Sequence, residues 1–437
     1  MTLKSLNNKK IAILGLGSEN CALLEFLEKN IEANITVCDA RQKKHLCESC
    51  HCINKTSKIS WQLEKGYDEN LDQFDIIFRI AGYPFLTPQI TKAKNAGVEI
   101  SSPTKFFFDI CPTKNIIGVT GTKGKGTTAS LIYQILKDGK KHVYFGGNIG
   151  IPMFSFFDKI KKNDWVVLEL SSFQLEDLHA SPKIAVMTNF FQDHLAVADP
   201  NNPNYHKTML TYWRAKTNVF THQKKNDTLI ANQSLKIKID HIKPDSKIIY
   251  LNKSKLQTPL VGEHNKRNII AAELVAKKAG VKKESIKKTV AKFKGLEHRL
   301  EFVTEKNAVR YYNDSFSTTP DTAIIAINTF NSNSVILIAG GSDKGSDFTN
   351  LAKTVKSRVK TIILLPGKGS DRLKQNFKKI KYSNIKIVKS MDSAVKEAKK
   401  LARPGNVILL SPACASFGIF KNYKERGKQF KSKVKSL

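Results

Sequence analysis

Short apolar runs rich in β-branched residues alternate along this chain with apolar positions spaced three and four apart. The first kind reads as a buried strand, the second as one face of a helix. Residues 11–14 predict a strand, 21–29 a helix and 35–39 a strand ending in Asp39. Strand, helix and strand recur over 74–80, 91–96 and 98–100. A second segment opens with a strand at 116–119 and a helix carrying Leu131, Ile132, Ile135 and Leu136. Strands at 164–169 and 184–189 follow, then helices that carry 213–216 and open at 262–268. The third segment has strands at 309–312, 335–339, 361–365 and 407–410, helices between them, and a closing helix over 420–437.

The junction of the strand at 116–119 and its helix carries the densest chemistry. It reads Gly118-x-x-Gly121-Thr122-Lys123-Gly124-Lys125-Gly126-Thr127. Closely spaced glycines let backbone N–H groups converge on an anion, and the helix adds its positive N-terminal end. Lys125 can reach terminal phosphates, and a neighbouring hydroxyl can hold Mg²⁺. The strict phosphate-loop spacing wants glycine at 119 and Ser or Thr at 126, where this chain has Val119 and Gly126. The hydroxyl then falls to Thr127 or Thr128. A glycine-rich turn without a ligand does not account for two lysines among three glycines.

Polar residues recur where strands end, the place where parallel sheets bind ligands. They are Glu169 after 164–168, Gln192-Asp193-His194 after 184–189, Gly340-Gly341-Ser342-Asp343-Lys344 after 335–339, and Ser411 to Ser416 after 407–410. An acid at a strand's carboxyl end beside a phosphate loop commonly holds Mg²⁺. Near the start, Gly15-x-Gly17 followed by Asp39 suits ribose recognition, but Asn20 takes the third glycine position of the dinucleotide fingerprint. That weakens a hydride-transfer reading and leaves a nucleotide-diphosphate fold. The whole pattern predicts an α/β chain of three domains. These are a Rossmann-like domain over 1–110, a P-loop ATPase-like domain over 111–295, and a second Rossmann-like domain over 296–437.

Composition changes this picture little. The 437 residues carry 72 Lys and Arg against 38 Asp and Glu, a formal charge of +34. The lysines are scattered and form no arginine-rich tail, so a solvated basic surface is expected rather than nucleic-acid binding. Such a field still draws in anionic substrates. No run reaches the roughly 18 apolar residues of a membrane span. The apolar part of the N-terminus ends in GLGSEN rather than a cleavage site, so a cytoplasmic protein is expected. Of seven cysteines, Cys47, Cys50 and Cys52 cluster with His45 and His51. A surface loop with reduced thiols is expected; a compact zinc site is the alternative.

These blocks together resemble the Mur ligases over the whole chain. The matching residues are GVTGTKGKGTT (118–128), GGNIG (146–150), LELSSFQLE (168–176), QDH (192–194), RAK (214–216) and EHNKRN (263–268). EHRLEF (297–302), NDS (313–315), DKGSDF (343–348) and SPACASFGIFKNYKERG (411–427) continue the match. LSSFQLE and SPACAS together resemble the glutamate-adding branch. The resemblance implies ATP and Mg²⁺ as cofactors, and a monomer that takes UDP-N-acetylmuramoyl-L-alanine and glutamate, with no nucleic-acid partner. It implies that Gly121, Thr122, Lys123, Gly124, Lys125, Gly126 and Thr127 bind ATP phosphates, with Asn265, Asn268, Arg299 and Asp314 as further ATP contacts. Thr127, Glu169, His194 and a carbamylated Lys216 would serve the metal, and Lys125, Glu169, His194 and Lys216 the catalysis. Asp39, Arg41 and Asn148 match contacts to the UDP portion. Thr318, Lys344, Ser416 and Tyr423 fall where glutamate is held. Departures are Gly126, Tyr423 in place of the common Phe, and Arg79-Ile80-Ala81-Gly82-Tyr83 in place of a Ser-Pro-Gly turn.

The implied chemistry is activation of a carboxylate by the γ-phosphoryl group of ATP, then attack by the amine of glutamate. Lys344 is the one cation expected to face a glutamate carboxylate, and the D isomer follows from the resemblance. NDSFSTTP at 313–320 leaves the L isomer open. Folylpolyglutamate synthases share this chemistry but start near their phosphate loop, whereas 117 residues precede Gly118 here. A basic nucleic-acid-binding ATPase is the reading from a different class.

Overall fold

The computed structural model describes residues 1–50, 59–195, 203–253, 256–343 and 345–437. The chain forms two compact units, one of residues 1–256 with 267–290 and one of 257–266 with 291–437.

The first unit holds two sheets. One is built from β1 (Lys10–Leu14), β2 (Asn34–Asp39), β3 (Ser60–Leu63), β4 (Ile76–Arg79) and β5 (Glu99–Ser101), in the order β3-β2-β1-β4-β5. All pairings are parallel. Strand order reverses beside β1, which opens a crevice at the carboxyl ends of β1 and β4. The other comprises β6 (Ile116–Thr120), β7 (Val143–Gly147), β8 (Trp165–Glu169), β9 (Ile184–Met187), β10 (Thr228–Ala231) and β11 (Lys247–Tyr250). Its order is β11-β10-β9-β6-β8-β7, again parallel throughout. Strands such as β6 and β9 are buried along their whole length, which is why they read as continuous apolar runs.

One core runs through both sheets of this unit. Its aromatic centre joins Phe26 on the helix Ser18–Asn30, Phe106 and Phe107 on Pro103–Ile110, and Phe154 after β7. Phe26 and Phe154 lie 5.0 Å apart, and Phe106 stacks on Phe154 at 5.7 Å. Side chains this large and this buried resist separation of the two sheets.

The second unit holds β12 (Glu301–Lys306), β13 (Val309–Asn313), β14 (Val335–Ala339), β15 (Val359–Leu364), β16 (Ile385–Ile387) and β17 (Val407–Leu410), in the order β12-β13-β17-β14-β15-β16. Only β12 runs antiparallel. The edge strand β12 carries charge and has no buried residue, so it lacks the apolar run that marks its neighbours.

The cysteine expectation needs correction. Residues 43–49 form a helix rather than a loop, and Cys50 is buried in a disulfide with Cys21 on the helix Ser18–Asn30. Cys47 is free and half-buried. His51 and Cys52 lie outside the described residues. Among the described residues no helix is long and apolar enough to cross a membrane.

Candidate active site

β6 ends at Thr120, and the helix Lys125–Asp138 begins after four residues, with Gly124 as its N-cap. Gly121 and Gly124 adopt φ of 138° and 84°. A Cβ on Gly121 would lie 2.1 Å from Thr188 Oγ1, and one on Gly124 2.5 Å from Asn268 Oδ1. Only glycine fits either place. The loop is shaped by residues just past β9. Thr188 Oγ1 and Asn189 Nδ2 donate to the Lys123 carbonyl at 2.6 and 2.9 Å, and Lys123 N donates to Asn189 Oδ1 at 2.8 Å. Lys125 Nζ curls over the loop and donates to the carbonyls of Gly121 and Thr122, both at 3.0 Å. Lys123, expected on the phosphates, pairs with Asp193 at 3.0 Å.

β8 delivers Glu169 beside this loop, since it pairs in register with β6. Its carboxylate is buried; Oε1 accepts from Asn148 Nδ2 at 2.9 Å. Oε2 is shut off from solvent without a hydrogen-bond partner among the described residues, as is Thr128 Oγ1. An unsatisfied buried carboxylate oxygen suits a hard cation, so these residues fit Mg²⁺. Thr127 is also buried, at the start of the helix.

Lys216, on the helix Met209–Thr217, is 1% exposed. Its Nζ donates to Thr120 Oγ1 at 3.4 Å and sits 4.9 Å from the Tyr212 ring centroid. Burial, with the like charge of Lys125 behind it, drives the amine well below its usual range, against the pull of Asp193 and Glu169. An amine so depressed is nucleophilic and can add carbon dioxide. His194 is driven down to about 4 by desolvation, outweighing the pull of Asp193, with Lys216, Lys125 and Lys123 adding to the depression. The four residues assigned to catalysis thus share one electrostatic environment. His206, absent from the sequence reading, is 4% exposed, stacks on Phe173 at 4.8 Å and meets Ser172 Oγ at 2.9 Å.

The crevice at β1 and β4 is a cavity of about 830 Å³. Asp39, Arg41 and Asn148 all line it, with Glu19, Gln174 and Tyr83 among the others. Asp39 is already engaged by groups of the protein itself. Its carboxylate accepts from Leu16 N at 2.7 Å and from Arg41 Nε and Nη2 at 2.9 and 2.8 Å. Burial opposes its charge, but these donors hold its pKa below the usual value. Asp39 therefore shapes the Gly15–Gly17 turn and aims Arg41. Asn20 is buried and donates to Leu14 O, Gly15 O and Phe78 O, tying the same turn to β4. Gln174 was legible as the fourth residue of a Ser-x-x-Gln capping box, which the structure forms with Ser171. Its side chain also donates to Glu19 Oε1 at 2.5 Å.

In the second unit, the loops after β13, β14 and β17 adjoin. Ala413 N donates to Ser317 O at 2.9 Å, Ser342 N to Ala415 O at 3.0 Å, and Ser315 Oγ to Tyr423 O at 2.8 Å. Thr318, Ser416 and Tyr423 are thereby gathered at one end of the sheet. Lys344 lies outside the described residues. Arg372, on the helix Lys368–Lys379, meets Asp343 of the loop after β14 at 2.8 Å, so a cation not foreseen stands beside this loop. Asp314 is buried and accepts from Leu300 N, Ser317 Oγ and Ser411 Oγ; burial pushes it up to about 6. Arg299 lies 3.9 Å over the Phe316 ring. Asn265 donates to Val261 O at 2.8 Å within this unit, while Asn268 abuts Gly124 in the first.

A glycine-lysine loop between parallel strand and helix, beside a buried carboxylate and a buried amine, defines a nucleotide-dependent α/β enzyme. Residues 119–250 match the Mur ligase middle domain, and residues 298–414 the Mur ligase glutamate ligase domain. The chain belongs to the Mur ligase family. It is 37% identical to the UDP-N-acetylmuramoylalanine–D-glutamate ligase of Clostridium tetani, covering 99% of this chain and 98% of that one. The enzyme of the same name from Clostridium acetobutylicum is also 37% identical, over 100% and 98%. Among solved structures, the MurF ligase of Thermotoga maritima in complex with ADP superposes with a TM-score of 0.59 at 15% identity, covering 99% of this chain and 97% of that one. The UDP-N-acetylmuramate–alanine ligase of the same organism gives 0.57 at 17% identity, over 98% and 100%.

Proposed function

We propose that this chain is an ATP-dependent ligase that joins D-glutamate to UDP-N-acetylmuramoyl-L-alanine in peptidoglycan synthesis. The observation that carries the reading is the grouping of Lys125, Glu169, His194 and Lys216 around one loop, in a chain related end to end to enzymes of that name. It works as a cytoplasmic monomer with three parts: residues 1–110 for the UDP substrate, 111–295 for ATP and 296–437 for glutamate.

ATP would supply the phosphoryl group that converts the substrate carboxylate to an acyl phosphate, and a bound Mg²⁺ would supply positive charge beside that group. The residues of this chain do the rest. Loop amides from Gly121 to Thr127 and the Lys125 ammonium hold the phosphates and stabilise the transferring charge. Glu169, His194 and Thr127 would hold the metal, joined by Lys216 if it is carbamylated. Asn265, Asn268, Arg299 and Asp314 serve the rest of the nucleotide. Arg41 and Asn148 face the UDP portion, with Asp39 aiming Arg41. Thr318, Lys344, Ser416 and Tyr423 orient glutamate so that its amine meets the acyl phosphate.

ADP release measured with each substrate omitted in turn tests this. Release that needs both UDP-N-acetylmuramoyl-L-alanine and an amino acid is expected. Release stimulated by DNA or RNA instead would refute it.

A further inference from the structure

Arg79 is the last residue of β4, and its side chain is fully buried. Three apolar residues precede it, so the strand itself gives no reason for a charge there. The guanidinium crosses to the segment that follows β8. Its Nη2 lies 3.1 Å from Glu176 Oε1 and 3.2 Å from Asp177 Oδ2. It also turns back on its own loop, where Nη1 donates to Tyr83 O at 2.5 Å and to Ile80 O at 3.4 Å. One planar group thus pins the 80–83 turn to residues 176–177. A lysine could not span both sides with the same geometry.

The pinned turn is a wall of the cavity: Ile80, Ala81, Gly82 and Tyr83 all line it. Asn204 repeats the connection, donating to Ala81 O at 2.8 Å and reaching Glu176 Oε1 at 3.4 Å. Gln174 closes it from the other side through Glu19. The segment these groups grip begins at Glu169, the carboxylate beside the phosphate loop. Burying an arginine with two carboxylates stabilises little by itself, because desolvation offsets the attraction. What the arrangement does is fix distance. Misplacing a reacting group by about 1 Å can cost on the order of 10²-fold in rate.

We propose that Arg79 is a positioning residue, holding the 80–83 wall of the substrate cavity at a set distance from the phosphoryl site that starts at Glu169. This rests on the reading of that cavity as the pocket for the UDP-linked substrate.

The test is steady-state ligation by Arg79→Met, Arg79→Lys and Asn204→Ala, with KM taken separately for each substrate. Arg79→Met is expected to raise KM for UDP-N-acetylmuramoyl-L-alanine about tenfold or more and to lower kcat, with KM for ATP within about twofold of wild type. Arg79→Lys should recover part of the loss. Asn204→Ala removes no buried charge, so it keeps the test available if Arg79→Met does not fold, and it should show the same selective rise. Wild-type KM values with fewer active molecules, or equal rises for all substrates, would mean a structural role only and would overturn the proposal. A wild-type chain that ligates without any UDP-linked substrate would overturn the pocket reading itself, and the proposal with it.

Discussion

Lys216 Nζ stands 3.4 Å from the hydroxyl of Thr120, the residue that ends β6 just before the phosphate loop. A charged amine here, buried and near Lys125, is disfavoured, and a carbamate would supply an anion to the metal instead. Lys216→Ala is therefore expected to be nearly inactive and partly rescued by acetate. Isotope-labelled bicarbonate should give a carbamate carbon resonance in the wild type that the variant lacks. Full activity of the variant without added anion would contradict this role.

Lys125 is the cation that curls over the loop carbonyls. Lys125→Ala should keep the fold, checked by circular dichroism, and lose on the order of 10²–10³-fold in ligation rate. Turnover near that of the wild type would remove the loop from the mechanism.

His206 gives a pH dependence of stability. Burial lowers its pKa from 6.5 to about 4, so the folded state prefers the neutral ring. For a group whose folded pKa is depressed, the contribution is present above the unfolded value and is lost as pH falls through the folded one. No more than about 3–4 kcal/mol is then lost between pH 6.5 and 4. Urea denaturation of His206→Gln should show a shallower fall over that window. Identical slopes for variant and wild type would show that the ring titrates as if exposed.

The Cys21–Cys50 bond closes a loop with a sequence separation of 29. Loop-closure entropy gives such a bond about 3–4 kcal/mol against the reduced chain. Cys21→Ser should unfold at lower urea than the unreduced wild type, and match it once reductant is present. Alkylation of both thiols in unreduced protein would refute the pairing.

Local patterns made much of this legible. The strands at 335–339 and 407–410 are continuous apolar runs flanked by glycine or proline signals, and they fall where expected. The glycine and lysine spacing of the phosphate loop needs no distant partner to be read. The edge strands β3 and β12 were not legible, because β3 is half-buried and β12 is charged. Long-range pairs were also hidden. Arg79 meets Asp177 from 98 positions away, and Thr188 reaches Lys123 from 65 away. The pairing of Asp39 with Arg41, two residues on, was not legible, although both residues line the same cavity. The cysteine cluster misled because Cys50 pairs outside it.

The measurement closest to the central claim is product formation from UDP-N-acetylmuramoyl-L-alanine and ATP with D-glutamate, L-glutamate, D-aspartate and L-lysine at equal concentration. A hydrogen-bonding site aimed at two carboxylates rejects a side chain that lacks one of them strongly. D-glutamate should be joined well ahead of the other three. Preference for L-glutamate would contradict the stereochemistry and keep the enzyme class, and preference for L-lysine would contradict the assignment of the C-terminal loops to glutamate.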